Sequence, residues 1–351
     1  MAVYRIYPEK DTTIWSAPDI AGRYGNAGRD EILEVGGYPD TVNPVVGRTK
    51  RSILQFRTSE ILSTVNSKTS GLISASLNLT LANASELPHG YTIYTHPVSQ
   101  SWTNGLGKFG DDPVNLTGCS WQHRNAASDA WDTLGGDYTS TYTSSITKDL
   151  LSEHDLSIDV SNIVEQHYSS SIPNYGILLK LQDEYENYTS SSITLKYYSS
   201  NTNTIFDPYL EFKWDDSSYS STLTELSTDI CTVNIKNHKE KYSYGDDVRL
   251  RISARPKYPA RQFTTSSIYL TEYKLPSNSH YGIKDEYSNK MIVDFDSTYT
   301  KVSADNTSSY FDINMGMFKP ERFYRVLVKT TLNNSTVVLD SECVFKVVKH
   351  G

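Results

Sequence analysis

Cysteine is scarce in this 351-residue chain, and its scarcity already excludes several classes of protein. Only Cys119, Cys231 and Cys343 are present, spaced about 110 residues apart. No close pair suggests a metal knuckle or a disulfide framework. The simplest interpretation is three buried free thiols in a protein made in a reducing cytoplasm.

Long apolar runs and an excess of basic residues are also missing. No apolar stretch is long enough to cross a bilayer, and the first residues lack the basic and apolar regions of a secretory signal. The formal net charge is -8, whereas a groove that follows nucleic-acid phosphates shows clustered Lys and Arg. We therefore expect neither a membrane nor a nucleic acid among the partners.

Motifs of catalysis are absent as well. There is no Gly-x-Ser-x-Gly elbow and no phosphate-binding Gly-x-x-x-x-Gly-Lys loop, and the eight histidines show no motif spacing. The acidic residues are scattered through turn-like segments, as at Asp111-Asp112, Asp129, Asp132, Asp137 and Asp183-Glu184. Solvated turns explain them best, although loop carboxylates can also hold Ca²⁺. We predict no catalytic, cofactor-binding or metal site and no cofactor, so the chain is not expected to be an enzyme.

The chain is rich in tyrosine, and several of its segments alternate apolar and polar residues. There are 26 tyrosines against 10 phenylalanines. Tyrosine suits half-buried strands and is also enriched at protein interfaces. Apolar and polar residues alternate, as in half-buried strands, in several segments: Ile73–Leu81, Val248–Ala254, Tyr324–Val328 and Cys343–Val347. The sequence therefore predicts an all-β fold.

One helix is predicted to interrupt the strands. Val160, Ile163, Val164, His167 and Tyr168 fall on one helical stripe, with Asp159 or Ser161 as the N-cap. His167 lies on this stripe, so we predict that it packs and does not bind a ligand.

The predicted domains are residues 1–215, a polar linker at 216–229 and residues 230–351. The segment 215–229 is rich in Ser and Thr and follows a closing strand, Pro208–Trp214. The C-terminal part has the length and strand density of an Ig-like β-sandwich of about seven strands. It lacks the Cys…Trp…Cys signature of true immunoglobulin domains.

A series of motifs between Lys10 and Trp214 resembles the DNRLRE-type domain, a carbohydrate-binding-module-like β-sandwich. The matching segments are Asp11–Ile14, Tyr24–Gly28, Arg51–Phe56, Ser74–Leu79, Ser101–Gly105, Ser120-Trp121, Asp159–Val164, Tyr175–Leu179 and Pro208–Phe212. This resemblance implies a jelly-roll-like N-terminal sandwich with one short helix. Two stretches, Leu106–Asn115 and Ser128–Ser152, exceed the usual spacing of that family.

The C-terminal part is similar to the Ig-like tails of structural proteins in T4-like marine bacteriophages, through Lys257–Pro259 and Pro320–Tyr324. Together the two resemblances imply a structural protein of the virion, in the neck, tail, baseplate or head, made in the host cytoplasm. Its expected partners are other virion proteins and copies of itself. The alternative is an adhesin module that binds a host-surface glycan. Trp102, Trp121 and Trp131 could form a sugar-stacking platform, but packing in the core is favoured. A polysaccharide-degrading enzyme with an unrecognised site is a poorer third option.

Overall fold

A computed structural model describes residues 2–17, 25–40, 42–43, 46–67, 74–125, 129–259 and 271–349 of the chain. Tyr24 of the proposed Tyr-Gly turn and Ser128 lie outside the described residues. The chain divides into two compact units. The N-terminal sandwich contains residues 6–66 and 74–211, and the C-terminal sandwich contains residues 2–5 and 212–349. Strands dominate both, so the predicted all-β, sandwich-like fold is confirmed.

Twelve described strands precede residue 214, and the last of them matches the closing strand predicted at Pro208–Trp214. They are β1 (Val3–Ile6), β2 (Lys10–Trp15), β3 (Ile32–Pro39), β4 (Gly47–Gln55), β5 (Ser74–Leu79), β6 (Leu81–Ser85), β7 (Gly90–Pro97), β8 (Ser144–Asp149), β9 (Leu156–Asp159), β10 (Ile177–Leu181), β11 (Ile193–Tyr198) and β12 (Tyr209–Lys213). One sheet has the order β6-β11-β3-β4-β10-β7-β8, with β2 also paired to β4. Another has the order β1-β12-β5-β9.

The alternation predicted for Ile73–Leu81 is confirmed over β5, whereas Ile73 lies outside the described residues and Leu81 of β6 is only partly buried. Ala75, Leu77 and Leu79 are buried, whereas Ser74 and the other intervening residues are partly exposed. Successive side chains of a strand point to opposite faces, so one face of β5 enters the core and the other remains wet. Burial of this face stabilises the sandwich through the hydrophobic effect.

The prediction of a single helix is wrong, because the described residues contain three: α1 (Thr58–Ser67), α2 (Ser161–Tyr168) and α3 (Asp183–Glu186). The sequence conceals α1 because its buried face is carried by Ile61 and Val65 within a Ser- and Thr-rich stretch. Such residues have only modest helix propensity, and tertiary packing overrides it.

The predicted stripe of α2 is mostly correct. Ile163, Val164 and His167 are buried, so the packing of His167 is confirmed. Tyr168 is an exception, since it lies exposed at the margin of the stripe. The predicted N-cap is also wrong. Val160 occupies that position without a side-chain cap, and the Asp159 carboxylate accepts hydrogen bonds from the amide and hydroxyl of Ser161.

The C-terminal sandwich has nine strands among the described residues, two more than predicted. They are β13 (Cys231–Ile235), β14 (Lys241–Ser243), β15 (Asp247–Pro256), β16 (His280–Asp285), β17 (Met291–Val293), β18 (Ser303–Ala304), β19 (Ser309–Asn314), β20 (Phe323–Leu332) and β21 (Ser335–Val348), with a 3₁₀ turn at Met315–Met317. The two sheets have the orders β13-β15-β19-β18 and β14-β21-β20-β16-β17. The extra count comes from very short strands such as β14 and β18, which carry too few residues for an alternating pattern.

The predicted linker, residues 216–229, packs within the C-terminal sandwich. The Tyr219 hydroxyl donates to the Leu275 carbonyl at 2.6 Å, and the Leu226 amide donates to the Lys274 carbonyl at 2.9 Å. Leu226 is also buried in the core of this sandwich. The domain bounds 1–215 and 230–351 themselves stay a prediction.

All three cysteines are free, as predicted. Cys119 and Cys343 are buried, but Cys231 is partly exposed at the start of β13, so the expectation of three buried thiols is wrong for that residue. Separately, none of the helices in the described ranges is long and apolar enough to cross a membrane.

Candidate functional site

A buried charged cluster of the N-terminal sandwich centres on Arg51 of β4. Its guanidinium donates to both carboxylate oxygens of Glu186 in α3, each at 2.7 Å, and the Lys180 amine lies 3.1 Å from the same carboxylate. Burial would lower the pKa of Arg51, but the hydrogen bonds and charge of Glu186 outweigh it and raise that pKa. A forked, two-point contact of this kind holds both groups in one geometry.

Aromatic rings and a loop cover the Arg51 cluster. The guanidinium carbon lies 5.2 Å from the ring centroid of Trp121 and 5.7 Å from that of Tyr138. A third donor of Arg51 reaches the Gly135 carbonyl at 2.9 Å. Gly135 has a φ of +88°, and a Cβ there would lie 2.6 Å from the Trp121 ring, so only glycine allows this loop to close over the charge.

His96 borders the same cluster but remains neutral. Burial lowers its pKa to about 4, with further lowering from the charges of Lys180 and Arg51. Its Nδ1 lies 2.8 Å from the Thr143 hydroxyl, and its ring packs against Tyr138 with centroids 4.4 Å apart. The cluster therefore holds α3 on the sheet with its charges matched, an arrangement typical of a structural ion-pair network.

A small cavity of about 180 Å³ lies elsewhere in the N-terminal sandwich, beside Glu34 of β3. The Glu34 carboxylate accepts from the Lys50 amine, and the Lys196 amine lies 2.9 Å away. Burial would raise the pKa of Glu34, but these two lysines outweigh it and lower that pKa. Phe109 forms one wall, and its ring meets Trp15 edge-on at 5.1 Å.

Phe109 belongs to a long connection, residues 104–119, which we call the insertion loop. It contains the stretch Leu106–Asn115 that exceeds the usual family spacing. Buried Asn26 anchors it: the amide nitrogen donates to the carbonyls of Asn104 at 2.7 Å and Cys119 at 2.8 Å. The Asn26 amide oxygen accepts from the Gly107 amide at 3.0 Å. Both ends of the loop are thereby attached to one side chain.

The insertion loop presents large apolar side chains to solvent. Leu106 is 57% exposed, Phe109 54% and Leu116 50%. The tip after β8 does the same with Leu150 and Leu151, the latter 97% exposed. Apolar groups held in water on an anchored loop are characteristic of surfaces that meet a partner.

The tryptophans suggested for sugar stacking are packing residues, as favoured from the sequence. Trp102 and Trp131 are buried in one core cluster with Cys119, and their indole N–H groups donate to backbone carbonyls at 2.7 and 2.9 Å. Trp121 is partly buried and packs on this cluster beside the Arg51 guanidinium. All three are less exposed than Phe109.

The candidate carboxylates are mostly turn-forming. Asp137 accepts from the amides of Asp132 and Thr133 at 2.6 and 2.7 Å, and Asp129 pairs with an arginine. Asp183 pairs with Lys180 at 2.6 Å. Over the described ranges, His, Cys, Asp and Glu form no group of three or more that could hold a metal ion.

Sequence analysis identified Arg51 and Asn26 only as parts of family motifs. Nothing in the sequence linked Arg51 to Glu186, 135 positions away, because α3 reaches β4 only once the sheet is assembled.

No family model matches the chain, and no curated protein matches it. A comparison with solved structures finds a β-glucuronidase from Parabacteroides merdae, 7% identical, over 78% of this chain and 28% of that enzyme, with a TM-score of 0.15. The chain thus spans less than a third of that protein. A TM-score this low carries no argument about fold or activity.

Proposed function

We propose that this protein is a structural component of a bacteriophage virion, in the neck, tail, baseplate or head, and that it acts by protein–protein assembly without turnover. It would be made in the host cytoplasm and installed on the particle, against other virion proteins and copies of itself. Neither nucleic acid nor membrane is a proposed partner. The observation that carries this proposal is the insertion loop, with Leu106, Phe109 and Leu116 held in solvent.

The loop is suited to a durable contact because its conformation is preorganised in the free protein. Asn26 fixes both of its ends through buried hydrogen bonds, so little conformational entropy remains to be lost on association. Apolar side chains on such a loop can fill pockets of a neighbouring subunit. A lasting contact in a particle buries on the order of 1,000 Å² or more, so further surface would have to join it.

The Arg51 cluster supports the same proposal. Catalytic groups need unmatched charge or poised protonation near an open cleft. Here Arg51 is bound by Glu186 and covered by Trp121, while His96 is held neutral. Such a cluster rigidifies a scaffold.

The experiment is incorporation into particles. A tagged triple variant, Leu106→Ser, Phe109→Ser and Leu116→Ser, should remain folded but be lost from purified virions made in infected cells. The matched control is Leu150→Ser with Leu151→Ser, which removes exposed apolar groups from another tip of the same sandwich. Normal incorporation of the triple variant, or absence of the wild-type chain from virions, overturns the proposal.

A second candidate, a glycan-binding adhesin module, is favoured by the Glu34 cavity. Its half-exposed Phe109 wall and its charged groups Glu34 and Lys196 form a mixed aromatic and polar surface. Binding of wild-type chain on a glycan array, lost in Glu34→Gln, would favour this function. An absence of binding on the array, together with incorporation into virions, would favour the function in particle assembly.

A further inference from the structure

Two adjoining cavities lie on the C-terminal sandwich and form what we call the hairpin groove. One has a volume of about 320 Å³ and is lined by residues that include Asn278, His280, Phe295, Lys329, Thr331 and Thr336. The other, of about 450 Å³, shares Asn278 and Thr331 and continues to the turn between β20 and β21. Each volume falls in the range of about 300–1,000 Å³ typical of ligand sites.

Strand register places the polar groups of the groove side by side. His280 of β16 lies opposite Lys329 of β20, and Thr331 of β20 lies opposite Thr336 of β21. The two threonine hydroxyls are 3.2 Å apart. Lys329 and Thr331 share one sheet face because side chains alternate along a strand. An amine, an imidazole and two hydroxyls therefore line one continuous surface.

Gly282 in the sheet leaves room for the ring of Phe295, the aromatic residue of the groove. A Cβ on Gly282 of β16 would lie 2.8 Å from the Phe295 Cε1 atom and 2.9 Å from the Met291 methyl carbon. The ring of Phe295 thus occupies the space that a side chain at position 282 would fill. It is held against the strand as a fixed apolar wall.

Lys329 gives the 320 Å³ cavity its charge. Its amine lies 5.7 Å from the Phe295 ring centroid, and no carboxylate lines this cavity. Within the described residues Lys329 forms no ion pair. The neighbouring Asp296 carboxylate does not line the cavity; its Oδ1 atom accepts from the amides of Thr298 and Tyr299 at 2.7 and 3.0 Å. An unmatched amine beside a ring attracts an anion.

His280 forms an uncharged part of the groove wall. Its Nδ1 is buried and has no hydrogen-bond partner in the described part of the chain. Burial lowers the pKa of His280, and the charges of Lys329 and Lys301 lower it further. The ring is therefore neutral near pH 7, with one nitrogen that donates and one that accepts. The ring also makes a hydrogen bond with the backbone of Asp296, which fixes it in the groove wall.

We propose that the hairpin groove binds an acidic saccharide, with a sugar carboxylate at Lys329, a sugar ring against Phe295 and sugar hydroxyls on Thr331 and Thr336. The far cavity contains Glu225, so the charges of the groove place the acid group at the Lys329 end. This site is separate from the insertion loop and from the Glu34 cavity, and it requires neither function proposed above.

The test is calorimetric titration of the full chain with a trimer of galacturonic acid, with maltotriose as the neutral control. We expect saturable binding of the acidic trimer and none of maltotriose. Lys329→Met should weaken binding about tenfold or more, since hydrogen bonds to charged groups contribute about 1.5–3 kcal/mol. Lys257→Met is the matched control, because that exposed lysine also lies near a ring, Tyr258, but outside the groove.

Two further variants sharpen the result. Phe295→Leu should weaken binding, and Glu225→Gln should strengthen it by removing the carboxylate from the groove. The inference is overturned by an absence of saturable binding, or by binding that Lys329→Met leaves unchanged. It is also overturned if acetate competes as well as the trimer, since the groove would then hold a simple anion and no saccharide. Failure here leaves incorporation into virions as a separate measurement.

Discussion

Asp11 of β2 is a buried carboxylate, and its replacement by asparagine should change how the stability of the N-terminal sandwich depends on pH. The side chain accepts from the amide and the hydroxyl of Ser200, each at 2.7 Å. Burial raises the pKa of Asp11 to about 6, in spite of these hydrogen bonds. The nearby charge of Asp207 raises it further.

The direction of the change in stability with pH follows from proton binding. The unfolded carboxyl has a pKa of about 3.9, so between about pH 4 and 6 the folded protein holds a proton that the unfolded chain has lost. Stability therefore falls as the pH rises through this window. Two pKa units at about 1.4 kcal/mol each give a loss of roughly 3 kcal/mol by neutral pH.

Asp11→Asn keeps the protonated shape at every pH. The new amide oxygen can accept from the Ser200 amide, and the new NH₂ can donate to the Ser200 hydroxyl. We expect equal stability of variant and wild type at pH 4 and an advantage of the variant of up to roughly 3 kcal/mol at pH 7.5. The assay is urea unfolding followed by tryptophan fluorescence, because four of the five tryptophans lie in the N-terminal sandwich.

Asp149→Asn is the matched control, at an exposed turn of the same sandwich. The Ser152 hydroxyl and the Leu151 amide lower the pKa of Asp149, so this substitution should instead cost stability above about pH 4. A difference between Asp11→Asn and wild type that stays constant from pH 4 to 7.5 would refute the reasoning.

Three further predictions concern the core, the loop and the thiols. Leu77→Ala should cost on the order of 2–5 kcal/mol in the same urea assay, and an unchanged midpoint would contradict the burial of β5. Asn26→Ala should release the insertion loop, measured as faster amide exchange at Gly107, and unchanged exchange there would refute the anchor. Of the thiols, Cys231 should react first with a maleimide in the folded protein, and faster labelling of Cys119 would contradict its burial.

Local patterns explain which parts of the fold could be predicted. The alternation of β5 and β15 is visible in a few consecutive residues, and the structure confirms it. The turn Asn333-Asn334 is a local feature of the same kind, because adjacent asparagines tolerate the positive φ that both residues adopt in this tight hairpin. Such features depend only on near neighbours in the sequence.

The sites depend on distant neighbours. Phe295 reaches its position only because Gly282 leaves room on another strand, and Lys329 meets His280 only through the pairing of β16 with β20. A single sequence records neither register nor proximity. The helix α1 was not predicted for a different reason, because its buried residues lie among Ser and Thr and form no clear apolar pattern.

Because Asn26 holds both ends of the insertion loop, substitutions on the exposed surface of the loop need not change the stability of the N-terminal sandwich. The side chain of Asn26 makes its hydrogen bonds to backbone groups of the loop, so exposed side chains such as Leu106 and Leu116 can change without altering those hydrogen bonds. Gly107 is an exception, because a Cβ there would lie 2.3 Å from the Asn26 carbonyl oxygen. At the far end of the loop Gly110 has a φ of +88° and open space around it. The exposed positions of the loop can therefore diversify in evolution, and Gly110 is a natural place to graft a foreign peptide for display.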